Sequence, residues 1–226
     1  RQHFGSMSNL EICQLAFKGD FDQFKVRATQ KPECITQLDE NKRTCFHWAC
    51  SGGSTSIVEY LLKKNVDIGA KDDADWTPLM IAVSTGREDI VNMLIGKGAS
   101  VNSVNSTGQC PLHYAASKNR YNIAEKLLEN GAQVNLGDWV NSTPLHRCSA
   151  QGHTKVTKLL LSYNADPNAQ DTGGNTPLHL ACEEERVEVA KLLVENAASF
   201  SILNKEEKSP LDLAPAGMRR SLTTIM

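Results

Sequence analysis

The sequence predicts an all-α fold, a solenoid of about seven helix–turn–helix repeats linked by β-turns. Three observations predict it. The string N-T-P-L-H-L-A at residues 175–181 recurs in degenerate form, with starts at Thr44, Thr77, Cys110, Thr143, Thr176 and Ser209, one every 33 residues without an insertion. Aliphatic pairs four apart follow in the same register: Ile57/Leu61, Ile90/Leu94, Ile123/Leu127, Val156/Leu160 and Val189/Leu193. That spacing places each pair on one helical face. Asp or Asn recurs at positions 39, 72, 105, 138, 171 and 204, each heading a run of turn-type residues; side chains of this kind hold β-turns by bonding the local backbone.

The elements follow in order. Residues 1–6 read as an expression-tag remnant before Met7, which leaves 7–226 as a single repeat domain. Within it, 7–38 form an N-terminal cap repeat, 39–208 the central repeats and 209–226 a C-terminal cap. In the first unit Leu10, Cys13, Leu15, Ala16 and Phe17 sketch one short helix, and Phe21, Phe24 and Val26 a second, with Gly19-Asp20 between them. This unit lacks the recurring string, as a terminal unit with one face in water should. In the central repeats a Thr N-cap followed by Pro starts the first helix, because Pro loses no needed donor there. That helix ends at Gly53, Gly86, Asn119, Gly152 or Glu185. Glycine and Asn accept positive φ, whereas Glu does not readily, so local adjustment is expected at Glu185. The second helix stops at Asn65, Gly98, Gly131, Asn164 and Ala197, with Ala197 again the exception. Residues 214–217, A-P-A-G, should not continue a good helix, and residues 218–226 read as a short capping tail, either packed or frayed.

Composition narrows the function. A net charge of −2 gives no global attraction to nucleic acid or anionic membrane, and no apolar run reaches the roughly 20 residues of a membrane span. Seven cysteines, an odd number without a C-x-x-C pair, read as reduced thiols in the cytosol or nucleus. Cys50 and Cys182 share a repeat slot with Val83, Ala116 and Ser149, so they are expected to pack as small apolar residues.

No catalytic constellation is visible: there is no G-x-S-x-G, no phosphate-cradling loop and no H-E-x-x-H. The chain therefore reads as a non-enzyme that needs no cofactor or metal. His47, His113, His146 and His179 occupy one slot. Helices of adjacent repeats pack roughly 10 Å apart, too far for two imidazoles to share an ion. A neutral His bonding backbone between turns is the expectation. His153 has no evident partner set.

Variable slots remain as candidates for recognition. Turn tips and the exposed side of the first helices should line the concave face of a repeat array. These slots hold Arg43, Asp73, Asp75, Trp76, Lys118, Trp139, Glu183 and Glu184. The two tryptophans either lie over a neighbouring turn or anchor an interface. Arg147 stands where other repeats place Trp48, Ile81, Tyr114, Leu180 and Leu213; it either snorkels or meets a carboxylate, plausibly a partner's. Acids near Asp73, bases at Lys118 and Arg147, and acids at Glu183 and Glu184 form charge bands that would select a partner more than tighten it. The string L-A-C-E-E at 180–184 matches the L-x-C-x-E motif of pocket-protein ligands, but it falls within a helix and fills packing slots.

The period and the T-P-L-H-x-A string resemble the ankyrin repeat. A closer resemblance is to the gankyrin-like family of proteasome non-ATPase regulatory subunits. It is carried by S-N-L at 8–10, R-T-x-x-H-W-A-C-S at 43–51, K-D-D-A-x-W at 71–76, P-L-H-Y-A-A-S-K-N-R at 111–120, N-T-P-L-H-L-A-C-x-E-E-R-V-E at 175–188 and N-K-E-E-K at 204–208. Residues 138–149 and those after 214 depart from the family pattern. The resemblance implies an assembly chaperone of the proteasome regulatory particle that holds the C-terminal domain of a proteasomal ATPase subunit in its groove. Carried over by motif, Arg43, Asp73, Trp76, Lys118, Glu184 and Glu185 are the expected contacts. It also implies links to cell-cycle regulators (a cyclin-dependent kinase, a ubiquitin ligase and retinoblastoma protein). A signalling scaffold or kinase regulator is the alternative reading. A monomer in cytoplasm and nucleus is expected.

Overall fold

The computed structural model describes residues 10–224. The proposed tag remnant at 1–6, Met7 and the S-N of the first motif lie outside the described residues. Among the described residues there are fourteen α-helices, one 3-10 turn and no strand. The chain divides into two compact units, residues 1–106 and 107–226.

The first unit holds α1 (Glu11–Lys18), α2 (Phe21–Gln30), the 3-10 turn Pro32–Thr36, α3 (Cys45–Gly52), α4 (Thr55–Lys63), α5 (Pro78–Thr85) and α6 (Glu88–Gly96). First helices pack on first helices, α1 on α3 and α3 on α5, while α2, α4 and α6 form a second layer. The second unit repeats the plan with α7 (Pro111–Ser117), α8 (Tyr121–Glu129), α9 (Pro144–Gln151), α10 (Thr154–Ser162), α11 (Pro177–Glu183), α12 (Val187–Glu195), α13 (Pro210–Leu213) and α14 (Ala216–Thr223). Here α7, α9, α11 and α13 make one layer and α8, α10, α12 and α14 the other. All ten residues of the aliphatic pairs are buried, each contributing roughly 1.5–3 kcal/mol of burial energy.

The recurring histidine ties each repeat to the next. In α3, α7, α9 and α11 its Nδ1 accepts the backbone N–H of the N-cap residue at 3.1 Å. The ring proton therefore sits on Nε2, which donates to a carbonyl of the following repeat. The pairs are His47 to Ala70 (3.0 Å), His113 to Ser142 (2.8 Å), His146 to Asn175 (3.0 Å) and His179 to Lys208 (3.1 Å). Burial pushes all four below the ordinary value of 6.5, so they stay neutral. Asp212 fills the slot in the last repeat and accepts the Ser209 N–H at 2.8 Å.

A second tie lies at the start of α4, α6, α10 and α12. Ser54 Oγ donates to the Ala16 carbonyl at 2.6 Å and Arg87 Nε to Ser51 at 3.3 Å. In the second unit His153 Nε2 donates to Ser117 at 3.1 Å and Arg186 Nε to Ala150 at 3.0 Å. His153 thus bonds backbone like the other histidines, in a slot filled elsewhere by Ser54, Arg87 and Arg186.

Three further expectations are corrected. Glu185 shows no local adjustment: it adopts φ +57° in the same slot where Gly152 has +79° and Asn119 +55°. Val26 is half exposed, and Phe24 and Ala28 carry the buried face of α2. The A-P-A-G stretch does not end the helical chain, for Ala216 and Gly217 begin α14. Pro215, in extended conformation, precedes α14, whose Met218 and Leu222 are buried, and α14 packs on α12. Proline there ends one helix and starts another. All seven cysteines are buried and none is in a disulfide; burial pushes the Cys148 and Cys182 thiols up to about 12.

Candidate functional site

Each inter-repeat turn is a finger folded around its leading Asp or Asn. One side-chain oxygen accepts two backbone N–H groups. Asp39 takes those of Asn41 and Arg43, Asp72 those of Ala74 and Trp76, Asp138 those of Val140 and Ser142, and Asp171 those of Gly173 and Asn175. Neighbouring fingers are joined by single backbone bonds. In the first unit Asp73 donates to Asn41 and Ser106 to Ala74, both at 3.0 Å; in the second, Trp139 donates to Thr107 at 3.1 Å, Thr172 to Val140 and Lys205 to Gly173, both at 2.9 Å. The fingertips of each unit therefore stand in a row.

The second carboxylate oxygen is satisfied differently from finger to finger. Asp39 Oδ2 accepts the Trp48 indole N–H at 2.8 Å. In the corresponding slot of a later repeat, Arg147 donates to Asp138 Oδ2. The carboxylate expected for Arg147 thus comes from its own repeat and not from a partner; the guanidinium replaces an indole as the brace of the finger. Ile81 cannot do this, and Asp72 Oδ2 instead accepts Arg43 from the preceding finger, at 2.9 Å from Nε and 2.8 Å from Nη2. Arg43 is buried and also lies over the Trp48 ring at 5.5 Å. A residue expected at the partner surface is here spent on joining two repeats.

The other predicted residues separate by unit. In the first, Asp73 and Asp75 are exposed on one fingertip with the half-buried Trp76 beneath them. Asp75 takes φ +61° and faces Lys71 at 3.7 Å. In the second, Lys118 is exposed at the end of α7, and Glu183, Glu184 and Glu185 are exposed at the end of α11. Glu184 is only 4.0 Å from Arg186, an exposed pair worth little. Trp139 is 67% exposed and Val140 50%. One face of the Trp139 indole rests on the preceding finger: a Cβ on Gly108 would lie 2.7 Å from its ring. Of the two readings of this tryptophan, the one in which it lies over a neighbouring turn is the one observed.

Cys182 is fully buried in α11, so L-x-C-x-E is not displayed as an extended peptide. Among the described residues no cluster of three or more His, Cys, Asp or Glu could hold a metal ion, and no helix is long and apolar enough to cross a membrane.

This construction defines a class, a stack of Asx-fingered helix pairs, and the chain belongs to the ankyrin-repeat family. Residues 5–105 and 138–205 match ankyrin repeats (3 copies), and 84–128 and 112–161 match ankyrin repeats (many copies). Among particular proteins, it is 53% identical over 74 residues to the 26S proteasome non-ATPase regulatory subunit 10 of Mus musculus, covering 33% of this chain and 32% of the relative. The Homo sapiens protein of that name matches at 53% over 74 residues, 33% of each chain. The Saccharomyces cerevisiae probable 26S proteasome regulatory subunit p28 is 31% identical over 81 residues, 34% of this chain and 36% of the relative. The matched stretches span about a third of the length of these curated relatives. The gankyrin-like resemblance is shown to that extent. The crystal structure of the human ASB11 ankyrin repeat domain superposes with a TM-score of 0.87 at 25% identity, covering 96% of this chain and 98% of that one.

Proposed function

We propose that the chain is a non-catalytic protein-binding module that acts as an assembly chaperone of the proteasome regulatory particle. It holds the C-terminal domain of a proteasomal ATPase subunit against its fingertips and the adjoining ends of its first helices. The similarity to proteasome regulatory subunit 10 supports the choice of partner. One observation supports the choice of surface: the exposed fingertip and helix-end residues differ from repeat to repeat, while the slots beside them are consumed by folding. Asp73 and Asp75 in the first unit, and Trp139 with Glu183 and Glu184 in the second, are exposed where a partner can reach them; Arg43 and Arg147 support the fingers that present them. Masking by shape and charge needs no cofactor, nucleic acid or membrane, and a monomer in cytoplasm and nucleus suffices.

Copurification tests the reading. The wild-type chain should retain a purified proteasomal ATPase C-terminal domain, and the Asp73→Lys, Glu184→Lys double variant should lose it while keeping its helical circular dichroism. Equal retention by both would remove the fingers from the function. Inhibition of a cyclin-dependent kinase by the purified chain, without retention of the ATPase domain, would replace the chaperone reading by a kinase-regulator one.

A further inference from the structure

The layer of second helices in the second unit carries a feature that partner binding at the fingers does not use. A groove of about 560 Å³ runs between α8 and α10, lined by Tyr121, Asn122, Lys155, Lys158, Leu159 and Ser162. Its floor is the buried Leu159, and the Tyr121 ring stands 37% exposed beside it. Its rim is cationic and lacks counter-charge. Helix α10 reads T-K-V-T-K-L-L-L-S and holds no acid, whereas α8 carries Glu125 and Glu129, and α12 carries Glu188 and Glu195. On those neighbours the lysines are matched, Lys126 with Glu129 at 3.9 Å and Lys191 with Glu188 at 3.4 Å. Lys155 and Lys158 are exposed, and among the described residues neither belongs to an ion pair. Glu125, the acid of α8 that could approach them, accepts the Tyr121 hydroxyl at 3.2 Å.

We infer that this groove docks an acidic peptide segment carrying one aliphatic side chain. Two ammonium groups one helical turn apart attract successive carboxylates, and the Leu159 floor rewards an apolar side chain laid between them. An acidic polypeptide fits better than a free anion. Both lysines stay hydrated at the rim, where a small anion gains little, and the apolar floor adds affinity only for an occupant with a side chain to bury.

Fluorescence anisotropy with the full chain tests this. The probe is a short fluorescein-labelled peptide of alternating Glu and Asp around a single Leu. Saturable binding is expected, weakened about tenfold or more in Lys155→Glu, Lys158→Glu, weakened also when the Leu of the probe is replaced by Gly, and unchanged in Lys191→Glu. The milder Lys155→Gln, Lys158→Gln variant should fall between. The Asp73→Lys, Glu184→Lys variant should bind the probe as wild type does, which separates this groove from the finger surface. The inference is overturned if the wild type shows no saturable binding or if both lysine variants keep wild-type affinity. It is overturned equally if Lys191→Glu weakens binding as much, making net charge the cause, or if the Leu-free probe binds as tightly and inorganic phosphate displaces both.

Discussion

The Arg43 guanidinium reaches from one finger to Asp72 of the next, with Nη2 2.8 Å and Nε 2.9 Å from the same carboxylate oxygen, and the Asp72 side chain fully buried. The same carboxylate holds its own finger through its other oxygen. One aspartate therefore orders a turn and joins two repeats. Removing Arg43 would leave a buried carboxylate without its counter-charge. Arg43→Ala should cost about 3 kcal/mol in urea unfolding. The Arg147–Asp138 pair has the same chemistry and its carboxylate is also buried, but the arginine side chain is 35% exposed, so water reaches the site once it is truncated and Arg147→Ala should cost less, about 2 kcal/mol. Equal losses would show that burial does not set the difference.

The four capping histidines predict a pH dependence. Burial lowers each below its ordinary value of 6.5, so the unfolded chain binds more protons than the folded chain beneath that pH. Their contribution is complete above about 6.5 and is lost as pH falls below it, by up to about 1.4 kcal/mol per histidine per pH unit. Unfolding at pH 7.5 and pH 5.5 should show a distinctly less stable chain at the lower value. A flat profile across that range would mean that the folded imidazoles take up protons as readily as the unfolded ones.

Backbone strain predicts two stabilising substitutions. Glu185 and Ala197 hold φ of +57° and +67° in slots where sister repeats place Gly or Asn. Relief of the left-handed penalty outweighs the greater freedom of the unfolded glycine, so Glu185→Gly and Ala197→Gly should each add about 0.5–1 kcal/mol. Glu183→Gly, two residues earlier and inside α11, should subtract about 1 kcal/mol. Loss of stability at all three positions would contradict the strain assignment.

What the sequence made legible was whatever repeats with one residue type. The Thr-Pro starts, the imidazole slot, the aliphatic pairs and the Asx turns all keep their chemistry every 33 residues. Slots that keep a role while changing chemistry were not legible. The donor beginning α4, α6, α10 and α12 is Ser54, Arg87, His153 and Arg186 in turn, and nothing in those side chains alone announces a shared kind of partner. The finger brace passes from Trp48 to Arg147, and only the geometry shows that Arg147 has its carboxylate nearby. Local adjustment was expected at Glu185, but the bond from the Arg186 N–H to the Ala181 carbonyl at 2.7 Å holds the turn that the other repeats make with Gly or Asn. The groove between α8 and α10 leaves a single trace in the sequence, the absence of an acid from α10.

The division between slots that fold and slots that recognise is tested most directly at Trp139. Its indole rests on Gly108 along one face and is 67% exposed, so truncation removes contact area for a partner and little for the fold. Titration calorimetry of a proteasomal ATPase C-terminal domain into wild type and Trp139→Ala, alongside urea unfolding of both, would measure the two effects together. The expected result is affinity weakened about tenfold or more, with stability changed by less than about 0.5 kcal/mol. Unchanged affinity, or a loss of stability large enough to account for the weaker binding, would contradict the account.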